Sequence, residues 1–266
     1  MNASPWRIAL DAYRTLAGHL RAALMTSAAP LGLVLAGMAL VSWAAVGEPF
    51  PRPSEVPGSS NWDYLSIFLY AAIQAVATLV LFVPWLRYLM GMRGASWVWL
   101  GSPALRAAPV WLLSWVVGTL IVAFGALFYM LPLALVMIFA VMGEERAEGF
   151  TGEPTVWIVY PVIFVGWAGS IFVTANLILR AALISLGLPW RSELSDRVVR
   201  SWVPAAKAII VAIAPLLILD MVAVSVFQGL DLNVDWVEGA ISILSTLLEG
   251  VICVAIIHRA SAPQPE

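Results

Sequence analysis

Charge is scarce in this chain: charged side chains make up 11% of its 266 residues, whereas 62% are hydrophobic. A soluble domain carries about 25% charged residues, and a chain with so few cannot clothe a water-facing surface. A bilayer-embedded fold has no such surface to clothe. Cysteine is nearly absent too. Cys253 stands alone in an apolar run, which excludes an intramolecular disulfide and reads as a small buried hydrophobe. With two histidines beside it, a structural zinc site lacks its ligands, and a bis-histidine haem would need His19 and His258 to face each other across one pocket. No cofactor is expected. Nor is there a nucleotide-binding loop, or the clustered His, Asp or Ser that a lipid-acting enzyme would place on one face. Neither an enzymatic activity nor a nucleic-acid partner is expected.

What the chain has is long apolar runs. A membrane-crossing helix needs roughly 20 mostly apolar residues, and six stretches qualify: about 24–46, 64–86, 109–131, 156–179, 203–227 and 238–257. The expected fold is all-α, a six-helix polytopic bundle forming a single membrane domain over residues 1–266. The first link, from Gly47 through Pro49, Pro51, Pro53 and Pro57 to Asn61, has too many prolines for a helix or central strand and reads as an extended external loop. The third run is unusually long, with no charge from 109 to 142. As one helix it would reach about 51 Å, well past a ~30 Å hydrocarbon core. The expectation is one span, bent or ended near Pro132, with 133–142 at the outer surface.

Basic residues set the orientation. With the N-terminus inside, all fourteen Lys and Arg lie at cytoplasmic helix ends except Arg52 and Arg146. Dividing the third run into two spans would throw the cluster from Arg180 to Lys207 outside. Both termini are therefore expected in the cytoplasm of a bacterial inner membrane. Trp43, Trp62, Trp157 and Trp236 then fall at outer helix ends and Trp85, Trp111, Trp190 and Trp202 at inner ends, as in interfacial aromatic belts.

Ser4-Pro5 is a helix start, after which Trp6, Leu10, Tyr13, Ala17, Leu20 and Leu24 recur at steps of four and three beside Arg7, Asp11, Arg14 and Arg21. Residues 5–22 read as an uncleaved amphipathic helix, either in the inner headgroup layer or packed on the bundle. Small residues at helical spacing mark candidate packing stripes: Ala28, Gly32 and Ala36, four apart; Ala71, Ala75 and Thr78, nearly so; Ser114, Gly118 and Gly125; and Gly166, Ser170 and Thr174, four apart.

The second and fourth spans end alike, Leu86-Arg87 preceding Trp97, Arg106 and Pro109, and Leu179-Arg180 preceding Trp190, Arg200 and Pro204. This is a weak parallel repeat. The passages Val83-Pro84-Trp85-Leu86-Arg87-Tyr88-Leu89-Met90-Gly91 and Leu179-Arg180 through Leu188-Pro189, with Ser201-Trp202 opening the next span, resemble bacterial six-helix inner-membrane proteins of the YciC type. They are also similar to the membrane domain preceding some glycerophosphodiester phosphodiesterases. The resemblance implies the six-helix topology. It covers about 30 residues by motif and departs at Leu86, where the family usually has His. No phosphodiesterase catalytic segment occurs in these residues, so that activity is not implied.

Ionisable groups inside spans are costly and mark functional candidates. Asp220 lies in the outer third of the fifth span and Glu249 near the middle of the sixth, with no Lys or Arg at their depth. Each is either neutral or faces a polar cavity. The functional alternative is a proton or cation relay or polar ligand site, and the structural one is neutral carboxyls bonded to neighbouring helices. Ser242, Ser245, Thr246 and Glu249 share one helical face, expected to turn inward toward Asp220. Gln74 and Asn176 are expected to form interhelical hydrogen bonds. Arg87, Arg180, Arg191, Arg197 and Arg200 either bind anionic lipid headgroups or snorkel to the interface. Two functions follow. The leading expectation is a scaffold, assembly factor or accessory subunit in a complex with other membrane proteins, and the alternative is a small transporter or channel using Asp220 and Glu249.

Overall fold

The computed structural model describes residues 4–49, 61–92, 105–122, 124, 154–188, 192–230 and 235–261. These contain eight helices and no strand: α1 Pro5–Gly18, α2 Leu20–Val46, α3 Asn61–Leu89, α4 Leu105–Val122, α5 Pro154–Ser185, α6 Glu193–Arg200, α7 Trp202–Gly229 and α8 Asp235–Ser261. All but α1 and α6 contain a stretch long and apolar enough to cross a membrane, so the chain is a multi-pass helical membrane protein. His19 before α2 meets Tyr88 at the end of α3, and Trp85 of α3 meets Leu247 and Gly250, at and beyond the middle of α8, so α2 begins and α8 ends at one end of the bundle, called the terminal end below. The proline-rich link from 50 to 60 and the path of 132–153 lie outside the described residues.

Local chemistry sets the boundaries. α2 ends at Gly47, whose φ of 82° is a left-handed cap. α3 and α5 end on Gly91 and Gly187, with φ of 67° and 74°. In each, the following residue's N–H reaches back five positions, Met92 to Arg87 and Leu188 to Leu183. Arg87 therefore lies four residues before its cap glycine and Arg180 seven before its own, so the two arginines of the apparent repeat sit at different depths. Ser192 caps α6 by accepting the Ser195 N–H at 3.1 Å.

The helices close into a ring. α3 packs on α8, α8 on α7 and α7 on α5. α4 completes it, with Gly118 against Ser170 and Thr174 of α5 and Trp111 against Phe82 of α3 at 4.3 Å between ring centroids. α2 lies outside the ring on α3 and α8, where Gly37 fits over Ile73 and Ser42 hydrogen-bonds Tyr70 at 2.5 Å. The expected packing stripe of α2 is the wrong face: Ala28, Gly32 and Ala36 are all exposed. The stripes of α4 and α5 do meet, through Gly118, Ser170 and Thr174.

α1 packs on the bundle, the second of the two readings of the amphipathic segment. It ends at Gly18 and α2 begins at Leu20, earlier than the 22/24 boundary expected. Ile8, Ala9, Ala12 and Leu16 are buried against α7 and α8. The Tyr13 hydroxyl donates to the Ala212 carbonyl at 2.6 Å, and burial raises that phenol above its ordinary value, keeping it a donor. The periodic stripe points the other way, with Trp6 71% and Leu10 50% exposed beside exposed Arg7 and Arg14.

Toward the terminal end the ring fills with a dense apolar core that includes Phe82, Leu86, Leu183, Ile252 and Ile256, all essentially inaccessible. Trp85 is at its centre, fully buried, not in an interfacial belt as its position suggested. Its indole N–H donates to the Leu247 carbonyl at 2.9 Å, and its ring occupies a notch that exists because residue 250 is glycine. A Cβ there would lie 2.6 Å from Trp85 Cδ1. Trp111, also assigned to the belt, is only 2% exposed. Trp43, at 62% exposed, behaves as a belt residue should.

Candidate functional site

Above that core the ring does not fill. A cavity of about 540 Å³ lies between α3, α4, α5, α7 and α8. Three of the four intramembrane polar candidates line it: Gln74 of α3, Asp220 of α7 and Glu249 of α8. The strip Ser242, Ser245, Thr246 and Glu249 faces it as a unit, so the expectation that this face turns inward, toward Asp220, holds. Helical rise puts Glu249 about 21 Å from the far end of α8, Gln74 about 20 Å along α3 and Asp220 about 14 Å from the far end of α7. The carboxyls are thus at mid-membrane or somewhat beyond it.

The fourth candidate, Asn176, is elsewhere. Its side-chain oxygen accepts from Arg180 Nε at 2.7 Å, one turn on along the same helix. The expected interhelical bond is replaced by an i,i+4 pair within α5 that orients the guanidinium. Of the basic candidates, Arg87 is half-buried at the terminal end of α3 and Arg200 is exposed. Arg197 approaches Glu193 at 3.9 Å, and Arg191 lies outside the described residues. Arg87, Arg180, Arg197 and Arg200 do not line the cavity.

The wall has a definite polarity. The hydroxyls of Ser114, Ser170, Thr174 and Thr246 donate to backbone carbonyls of their own helices at 2.7–2.9 Å. Their protons are committed, so what they can offer the space is lone pairs. With the two carboxyls these make acceptors of much of the polar lining, beside Gln74, Thr119, Ser242 and Ser245, and no Lys, Arg or His occurs among the described lining residues. Two polar atoms of lining residues are buried without a partner, Trp111 Nε1 and Asp220 Oδ1. Native proteins rarely leave such atoms unpaired. The remainder is aromatic and aliphatic, with Trp115 and Trp167 beside Trp111.

These tryptophans and the hydroxyls of α4 and α5 were not singled out as site residues from the sequence. Ser114, Ser170 and Thr174 appeared there as packing residues, and they are that too. The additional signal was available: the small-residue faces of two helices were both hydroxylated. The cavity volume is typical of small-molecule sites, about 300–1,000 Å³. Among the described residues no group of three His, Cys, Asp or Glu side chains could hold a metal ion.

The chain matches no protein-family model, no curated protein and no solved structure. These comparisons show no similarity to YciC-type proteins or phosphodiesterase membrane domains.

Proposed function

We propose that this protein moves a small cationic or polar solute across the bilayer through the chamber, without catalysing a covalent reaction. One observation carries the reading: Gln74, Asp220 and Glu249, costly residues on three separate helices, converge on one unfilled cavity. Carboxyls serving only to join helices would be paired directly, yet Asp220 Oδ1 has no partner. The dense core around Trp85 fills the ring on the terminal side of the chamber; in this reading the chamber opens toward the opposite side, the form of a site with access to one side at a time.

The test is flux into proteoliposomes containing the purified chain, read separately as proton, sodium and radiolabelled choline entry. Entry of at least one above empty liposomes, lost in Glu249→Gln, supports transport. Flux equal to empty liposomes, with a stoichiometric membrane partner retained in mild detergent, returns the protein to the scaffold or assembly-factor class.

In this reading the terminal end faces the cytoplasm of a bacterial inner membrane, because basic residues concentrate there. A cysteine at exposed Glu48, just beyond the α2 cap, with Cys253 replaced by alanine, should react with an impermeant thiol reagent in intact cells. Reaction only after cell rupture would reverse the orientation. The exposed Trp6 and Leu10 stripe with Arg7 and Arg14, and the arginines at Arg87, Arg180, Arg197 and Arg200, suit the inner headgroup layer, where each basic residue is worth about 1 kcal/mol with anionic lipid. Native mass spectrometry should find anionic lipid retained over zwitterionic lipid, and equal retention would contradict this contact.

A further inference from the structure

We infer that the chamber's ligand is an organic ammonium cation, which deepens the proposed function and rests on the chamber being its solute site. Four features of the wall converge on that class. The hydroxyls of Ser114, Ser170, Thr174 and Thr246 have spent their protons on backbone carbonyls, so they favour a ligand that donates or is positive. Asp220 and Glu249 supply two carboxyls that a bound cation would hold ionised, and no Lys, Arg or His among the described lining residues competes for them. Trp111, Trp115 and Trp167 line the same space, and indole is the best side-chain face for an alkylammonium group. A cavity of about 540 Å³ is far larger than a dehydrated metal ion needs, and no three-ligand metal cluster exists among the described residues.

An independent observation shows that the space is built for something polar. Trp111 is only 2% exposed and lines the cavity, yet its N–H has no partner. The nitrogen is itself covered, so it reaches a hydroxyl or carbonyl on the ligand only after the ring shifts. An apolar guest such as a lipid tail would leave both this donor and Asp220 unsatisfied. An anion would meet two carboxyls and no cationic side chain among the described lining residues.

The experiment compares two probes of nearly equal shape, choline and its neutral isostere 3,3-dimethyl-1-butanol. Binding to the full chain is measured in phosphatidylcholine nanodiscs, by calorimetry and by tryptophan fluorescence. Choline should bind saturably and at least roughly tenfold more tightly than the isostere, the ratio coming from charge alone. Glu249→Gln and Asp220→Asn, each with an unchanged thermal unfolding profile, should each reduce that ratio. Trp115→Leu should weaken choline binding by several-fold or more.

Equal binding of the two probes would overturn the cation assignment. Competition by sodium at the same concentration as choline would overturn the organic one. Binding indifferent to both carboxyl substitutions would overturn the location. The wild-type probe ratio decides even where a variant fails to fold. Proton or sodium flux without choline binding would remove this inference and leave the transport reading. Choline binding without flux of any kind would do the reverse.

Discussion

Trp85→Ala should cost the fold about 3–5 kcal/mol, the usual loss on truncating a large buried aromatic. The ring is fully buried and stacks on Tyr88 at 5.6 Å between centroids, and its N–H holds the Leu247 carbonyl on the facing helix. The complementary change, Gly250→Ala, adds one methyl group in place of the notch. The new Cβ would stand 2.6 Å from Trp85 Cδ1 and 3.2 Å from Nε1, so the indole must shift and its hydrogen bond must stretch or break. Overpacking of this kind costs about 1–3 kcal/mol. Gly32→Ala is the control, because nothing lies within 4 Å of its added Cβ. Alanine there should be neutral or stabilising by up to about 1 kcal/mol, as helix propensity dictates. The changes at 85 and 250 should also be non-additive. Trp85→Leu combined with Gly250→Ala should cost less than the two summed, by about 1 kcal/mol, because the smaller side chain vacates the notch. Thermal unfolding in detergent reads all of these. Equal behaviour of Gly250→Ala and Gly32→Ala would show that α3 and α8 are not packed through this contact.

The second large effect is on transport. Glu249→Gln keeps size and hydrogen bonding while removing the negative charge. Losing one partner of a close, desolvated charge pair costs about 2–5 kcal/mol, so cation flux should fall roughly thirtyfold or more. Folding should be little changed, because Glu249 opens on the cavity and glutamine fills the same volume. Asp220→Asn should act in the same direction. Glu249→Leu separates the roles further by abolishing flux while leaving the packing at Leu248 and Ile252 intact. An unchanged flux in Glu249→Gln would make the carboxyl structural.

The fold was largely legible in the sequence because a bilayer imposes length and polarity on every crossing. Six apolar runs gave six helices long enough to span, with left-handed glycines closing α2, α3 and α5 and Pro30, Pro84 and Pro215 accommodated inside helices. The inward strip on α8 was legible for the same reason, since helical period alone gathers Ser242, Ser245, Thr246 and Glu249. Other features depend on which neighbour a face meets. Trp85 has the position of a belt residue, and only the glycine notch on a helix 165 positions later in the chain turns it inward. Smallness marks a face that could pack but not the one that does, so Ala28 and Gly32 are exposed while Gly37 meets Ile73. Asn176 could have been read correctly, because Arg180 stands four residues on. The chamber itself could not, since unfilled volume is a property of five helices together.

Access to that chamber is the most direct test. A cysteine at Ser245, which lines the cavity about 15 Å along α8 from its far end, should react in the Cys253→Ala background with a membrane-impermeant methanethiosulfonate ammonium reagent. A thiol reacts as its thiolate and so needs water. A cysteine at Leu219, a 57% exposed apolar position one residue before Asp220, should stay unreactive in lipid. Modification at 245 from the side opposite the chain termini, and not at 219, is the predicted result. No modification at 245 in the native membrane, where denatured protein reacts fully, would mean that the chamber is closed to water and would contradict the account.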